Sequence, residues 1–155
     1  MMRLLQYAFL ACTLLCSSCK KDKDSVPTIE PAVGIEIADF AGEWRLSAWS
    51  GGTDLDKEIY LRLNADRTFT LYQNIVSHGF ECFDGTFTFD SQSALIRGTY
   101  ANGTSWGGEY IIGALTENSM QWQMTGTGDI ATYTRSVIPS LPLQPASRSG
   151  SVPFL

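Results

Sequence analysis

The chain has 155 residues, a net charge of −5 and a pI of about 4.7, with 44% hydrophobic and 12% aromatic residues. That is one domain's worth of chain with ample apolar material for a core. Its acidic balance, without clustered Lys or Arg, excludes a nucleic-acid partner, because phosphate recognition needs a concentrated positive surface.

Residues 1–18 divide into three parts. Arg3 supplies a positive start, residues 4–15 form an apolar run interrupted by Gln6, and Ser17-Ser18 supply small residues before Cys19. The apolar run is too short to span a bilayer as a helix. Immediately after Cys19 come Lys20, Lys21, Asp22, Lys23 and Asp24. A cysteine that closes an apolar segment before an abrupt charged tract resembles a bacterial lipoprotein signal, with Cys19 as the lipidated residue. Cys16 stands three residues earlier, where such signals usually carry Leu, Val or Ile. The Lys/Asp tract resembles those of outer-membrane lipoproteins of the Bacteroidetes, and Asp24-Ser25-Val26 resembles an O-glycosylation acceptor of the same bacteria. The resemblance implies an envelope lipoprotein of the outer membrane, surface-exposed in some relatives and held to the membrane only by its lipid.

Cleavage before Cys19 leaves 137 residues; eleven Lys/Arg less Arg3 is ten, against sixteen Asp/Glu, so the net charge becomes −6. Cys12 and Cys16 leave with the signal, Cys19 carries lipid, and Cys82 stands alone. An intramolecular disulfide is then impossible, and stability must come from core burial. Cys82, between Phe80 and Phe83, reads as a small buried apolar residue. Residues 19–38, with Pro27 and Pro31 and no sustained period, read as a tether.

From residue 39 to residue 136 the chain reads as strand after strand. Ile59, Leu61 and Leu63 alternate with polar neighbours, and so do Phe69 and Leu71, Phe87 and Phe89, and Met120, Trp122 and Met124. A period of two with aromatic and branched residues marks half-buried antiparallel strands. Residues 37–40 suit a short helical turn before the first strand. Eight strands are predicted, near 41–50, 57–64, 67–76, 80–90, 93–101, 106–115, 119–125 and 130–136. The punctuation agrees: Asn64-Ala65-Asp66-Arg67, Asn102-Gly103, Thr116-Glu117-Asn118-Ser119 and Gly126-Thr127-Gly128-Asp129 all suit hairpins, and Asn102-Gly103 predicts a type I′ turn. Short connections favour an up-and-down meander, and closure into a barrel removes its exposed edges. The expected fold is all-β: a single antiparallel up-and-down eight-stranded barrel with a disordered N-terminal tether and C-terminal tail. Residues 137–155 carry Pro139, Pro142, Pro145 and Pro153 and read as a disordered or loosely docked tail. Its apolar residues Val137, Ile138, Leu141, Leu143, Phe154 and Leu155 leave room for an extended contact with the domain.

Gly42-Glu43-Trp44 opens the first strand and Arg135 ends the last. A guanidinium laid on an indole face can close a barrel's narrow end while bonding nearby carbonyls. This pairing, together with residues 61–71, Gly98-Thr99-Tyr100 and Tyr133-Thr134-Arg135, resembles the lipocalin-like domains of Bacteroidetes lipoproteins over residues 39–136. Arg67 replaces the glycine that more usually follows the aspartate in that family's second hairpin. The resemblance implies that Gly42, Trp44 and Arg135 close the barrel and touch no ligand.

Chemistry-bearing residues are sparse. His78 is the single histidine, in a loop, so a Ser-His-Asp relay or a His/Cys zinc site is not expected. Asp54, Asp56 and Glu58 alternate after Gly51-Gly52, but Lys57 and the lack of a turn glycine make this a solvated loop, not a calcium loop. No enzyme, metal or cofactor is expected. By strand parity the interior ligand-facing candidates are Leu61, Leu71, Phe87, Tyr100, Tyr110, Trp122 and Met124. Two functions stand open. One is binding of a small hydrophobic molecule, or a segment of an envelope protein, inside the barrel. The other is a filled barrel that binds protein or glycan through its surface, as an adhesin or inhibitor would, with Trp49 and Trp106 as exposed aromatics.

Overall fold

The computed structural model describes residues 28–50, 52–53, 55–75, 79–143 and 152–155. Cys19 and the rest of the signal, Gly51, Asp54 and His78 lie outside the described residues.

A single turn of helix, α1 (Ile37–Phe40), leads into eight strands: β1 (Gly42–Trp49), β2 (Glu58–Leu63), β3 (Thr68–Asn74), β4 (Glu81–Asp90), β5 (Leu95–Tyr100), β6 (Tyr110–Gly113), β7 (Ser119–Met124) and β8 (Ile130–Arg135). Each pairs antiparallel with its sequence neighbour, and β1 pairs with β8 to close the barrel. The up-and-down barrel expected from the alternation is therefore present. Alternate residues point inward and meet in one core that includes Trp44, Leu46, Leu61, Leu63, Phe69, Leu71, Phe87, Ile96, Tyr110, Trp122 and Tyr133. The β1–β8 register shifts between Leu46 and Ala48, where the Ser47 hydroxyl donates to the Thr132 carbonyl at 3.0 Å. Such a bulge bends the strand at the closing seam.

Two expectations about turns and spans are corrected. The 100–104 hairpin is not type I′: among its residues only Gly103 takes a positive φ, of 86°. Gly103 N–H donates to Tyr100 C=O and Tyr100 N–H to Thr104 C=O, each at 2.8 Å. This is a three-residue loop, a type I turn followed by a left-handed glycine. β6 is also shorter than predicted. After Ser105 pairs with Thr99, the chain detours at Gly107-Gly108 and rejoins β5 at the Tyr110–Ile96 pair.

The flanking segments lie against the barrel where they are described. Ile29 is buried, its N–H donates to Gln123 Oε1 at 3.1 Å, and Ala32 N–H donates to the Ile112 carbonyl at 2.9 Å. Gly113 permits this close pass, because a side chain there would strike Glu30 and Ile29. On the C-terminal side, Ser136 N–H donates to the Glu43 carbonyl at 3.0 Å and Ile138 N–H to the Glu43 carboxylate at 2.8 Å. That second bond first, and then Arg62, hold the Glu43 carboxyl below its ordinary range. Farther on, Phe80 N–H donates to the Pro142 carbonyl at 3.1 Å.

Candidate functional site

The antiparallel connectivity gives the barrel two distinct ends. One holds α1, the start of β1 and the end of β8. Here Trp44 is fully buried and its Nε1–H donates to the Phe40 carbonyl at 2.9 Å. Arg135 Cζ sits 4.2 Å from the centre of the Trp44 ring. Arg135 also donates from Nε to the Glu117 carbonyl at 2.8 Å and from Nη1 to the Ala41 carbonyl at 3.1 Å. Gly42, at φ 136°, leaves the space the guanidinium occupies, since a Cβ there would collide with it. The Trp44 indole and the Arg135 Nε and Nη1 groups all bond to backbone carbonyls, so this arrangement closes the end of the barrel.

The middle of the barrel is aromatic. The Trp122 ring lies 5.8 Å from Trp106, 5.6 Å from Tyr110 and 5.3 Å from Tyr133, centre to centre. Phe69 meets Trp106 edge-on at 5.0 Å and Tyr100 at 5.6 Å. Trp106 lies against Gly98, where a Cβ would overlap its ring. Trp106 is therefore buried, and the expected exposed pair is corrected: it fills an interior notch left by a missing side chain, while Trp49 is half-buried.

This aromatic cluster carries unpartnered polarity. Trp106 Nε1, Tyr110 OH and Tyr133 OH are buried and have no hydrogen-bond partner among the described residues. Burial pushes the Tyr110 phenol up to about 12 and also raises Tyr100 and Tyr133, with Tyr110 adding to the shift of both and Tyr100 adding to that of Tyr133. All three phenols are thus protonated at neutral pH, and those of Tyr110 and Tyr133 are donors without an acceptor among the described residues. Buried donors without acceptors are rare in native proteins.

The other end is the mouth. The inward series of β3 runs Phe69, Leu71, Gln73, and Gln73 is fully buried there. Its Nε2 donates to Glu81 Oε2 at 3.1 Å and to the Val152 carbonyl at 3.2 Å, while its Oε1 accepts from Phe154 N–H at 2.8 Å. Tyr100 OH donates to the Leu155 carbonyl at 2.8 Å. Leu155 is 3% exposed and belongs to the core, and the Phe154 ring meets Trp49 edge-on at 4.9 Å.

Of the residues proposed from parity, Leu61, Leu71, Phe87, Tyr100, Tyr110 and Trp122 all sit in the buried core, and Met124 is half-buried against it. They include one of the unpartnered donors, Tyr110, but not Trp106, Tyr133 or Gln73. Gln73 follows the same parity rule that selected Leu71, but a glutamine gives no apolar signal. Cys82 is half-buried on the opposite parity, and burial raises its thiol pKa, so it is not primed as a nucleophile. Depressions on the outer wall are lined by outward threonines of β3 to β5, including Thr70, Thr86 and Thr99. Among the described residues no group of three or more His, Cys, Asp or Glu could hold a metal ion, and no helix is long and apolar enough to cross a membrane.

An antiparallel meander closed at one end by an Arg–Trp stack, with an aromatic interior, defines the class of small up-and-down β-barrels. Within that class the chain belongs to the lipocalin-like domain family, whose pattern it matches over residues 40–122. An NMR structure of a protein from Bacteroides uniformis is similar in fold, with a TM-score of 0.52 and 22% identity over 65% of this chain and 92% of that one. A crystal structure of a lipocalin-like protein from the same organism gives a TM-score of 0.51 and 14% identity over 63% of this chain and 99% of that one. No curated protein matches the chain.

Proposed function

We propose that this protein is a lipid-anchored lipoprotein of the bacterial outer membrane whose barrel binds a small, largely apolar molecule bearing a hydrogen-bond acceptor, without covalent chemistry. The three buried donors Trp106 Nε1, Tyr110 OH and Tyr133 OH carry the reading. Leaving each without an acceptor costs about 1–3 kcal/mol. A carbonyl or carboxylate of a guest relieves that cost, and the surrounding rings contact its apolar body. Membership of the lipocalin-like family supports a ligand-binding barrel. The anchor rests on the apolar segment ending in Ser17-Ser18-Cys19 and the Lys/Asp tract behind it.

Mass spectrometry tests both halves on the full chain, expressed in a Bacteroidetes host and extracted in a detergent that is stripped in the gas phase. The native mass should exceed the denatured mass by one guest, and the excess should vanish in the Tyr110→Phe/Tyr133→Phe variant. The denatured mass should carry a diacylglyceryl increment at Cys19. A native protein with no guest overturns the binding reading, and an unacylated Cys19 overturns the anchor.

A further inference from the structure

We propose that the barrel mouth is a second site, which takes an extended apolar peptide segment of another polypeptide, and that residues 152–155 are its resident occupant. The argument begins with Gln73. A glutamine fully buried among inward residues needs partners for both ends of its amide. Its Nε2 donates to the Val152 carbonyl and its Oε1 accepts from Phe154 N–H. In an extended chain the C=O of one residue and the N–H two residues on point to the same side, so the Gln73 amide stands in for the N–H and C=O of one residue of a neighbouring strand. Pro153, the residue between, turns its missing N–H the other way and leaves no donor unpaired. Tyr100 OH adds a third bond to backbone, at the Leu155 carbonyl.

These three bonds read only main chain. Selectivity comes from two apolar side chains, Phe154 against Trp49 and Leu155 in the core. Backbone bonds for affinity with side-chain sockets for specificity are how extended peptides are commonly bound. The occupant is also not part of any strand of the barrel. The chain is docked at Leu143, beside Phe80, and again at Val152, with eight residues between. Residues 152–155 therefore bind as part of the same chain, which raises their effective concentration at the mouth. An outside segment must compete with it.

The probe is fluorescently labelled acetyl-Val-Pro-Phe-Leu-amide, titrated against the full chain. Phe154→Ser/Leu155→Ser should free the mouth and tighten peptide binding at least tenfold over the unaltered chain. Methylating the peptide's Phe nitrogen removes the donor to Gln73 and should weaken binding at least tenfold, with no change to the protein. In the unaltered chain, saturating peptide should expose the Phe154 amide to hydrogen exchange. The inference is overturned if a natively folded double variant ignores the peptide, or if the N-methyl peptide binds as well as its parent. Should the double variant fail to fold, unchanged protection of the Phe154 amide under saturating peptide overturns it instead. An apolar dye that enters the double variant where the peptide does not would sink this inference and leave the interior site standing.

Discussion

The two ends of the barrel solve the same problem in opposite ways. At the closed end, the Trp44 indole and the Arg135 guanidinium find acceptors in the carbonyls of Phe40, Ala41 and Glu117, all local to α1, β1 and the turn before β7. At the mouth, Gln73 bonds to Glu81 and to residues 152–155, Tyr100 bonds to Leu155, and three buried donors farther inside have no partner among the described residues. Polar groups with local, fixed partners stabilise a fold. Polar groups whose partners arrive from elsewhere in the chain, or are missing, mark the part of the fold open to exchange. The contrast supports the proposal that binding belongs to the mouth and interior, and it leaves the closed end to structure.

The largest test of that division is Gly42→Val. The position has φ 136°, and any side chain would meet the Arg135 guanidinium. Backbone strain and overpacking each cost about 1–3 kcal/mol. A total loss of ~3 kcal/mol corresponds to a fall in Tm on the order of 15 °C for a domain of this size. Thermal unfolding followed by circular dichroism reads it directly. A Tm within a degree or two of the unaltered protein would mean the closed end is not the structural anchor described.

Arg135→Ala comes next. It removes the stack on Trp44 and two charge-assisted bonds, but Arg135 is exposed, so water replaces part of what is lost. A loss of about 1–2 kcal/mol is expected. Guest binding in the interior should be unchanged, because Arg135 lies at the far end from the mouth. A variant that keeps its stability but loses its guest would reverse the roles assigned to the two ends.

Much of the fold was legible because alternation is a strong signal. Ile59, Leu61 and Leu63, or Met120, Trp122 and Met124, can hide an apolar face in only one way, and short turns left little choice of connectivity. The misreadings share a cause: each depends on which residue the chain pairs or packs with. Trp106 turns inward over its paired neighbour Gly98, which has no side chain in the way, and the strand predicted for 106–115 begins only at Tyr110. Asn102-Gly103 favoured a two-residue turn, whereas the Tyr100–Thr104 pairing selects a three-residue loop. The docking of residues 29–34 was announced only by Gly113, a glycine where a strand would prefer a side chain. The seat of residues 152–155 had no periodic signal, since four residues carry no period. Parity named the ring of apolar residues around the interior, but a register rule that looks for hydrophobes passes over Gln73, and it cannot see that Tyr110 and Tyr133 lack partners.

The smallest expected effect lies at the closed end, in the hairpin between β2 and β3. Asn64 N–H donates to the Thr68 carbonyl, and Asp66 Oδ1 accepts from both the Thr68 N–H and hydroxyl, at 3.0 and 2.6 Å. The turn is well bonded, yet its third residue, Arg67, is held at φ 68°. A left-handed conformation costs an L-residue with a Cβ roughly 1–2 kcal/mol, while glycine adopts it freely. Glycine's extra freedom in the unfolded chain takes back about half of that. Arg67→Gly should therefore stabilise the protein by ~0.5–1 kcal/mol, raising Tm by a few degrees without altering guest or peptide binding. A fall in Tm would show that the Arg67 side chain contributes more to this end of the barrel than its exposed position indicates, and the closed end would then be more finely tuned than the hydrogen-bond pattern implies.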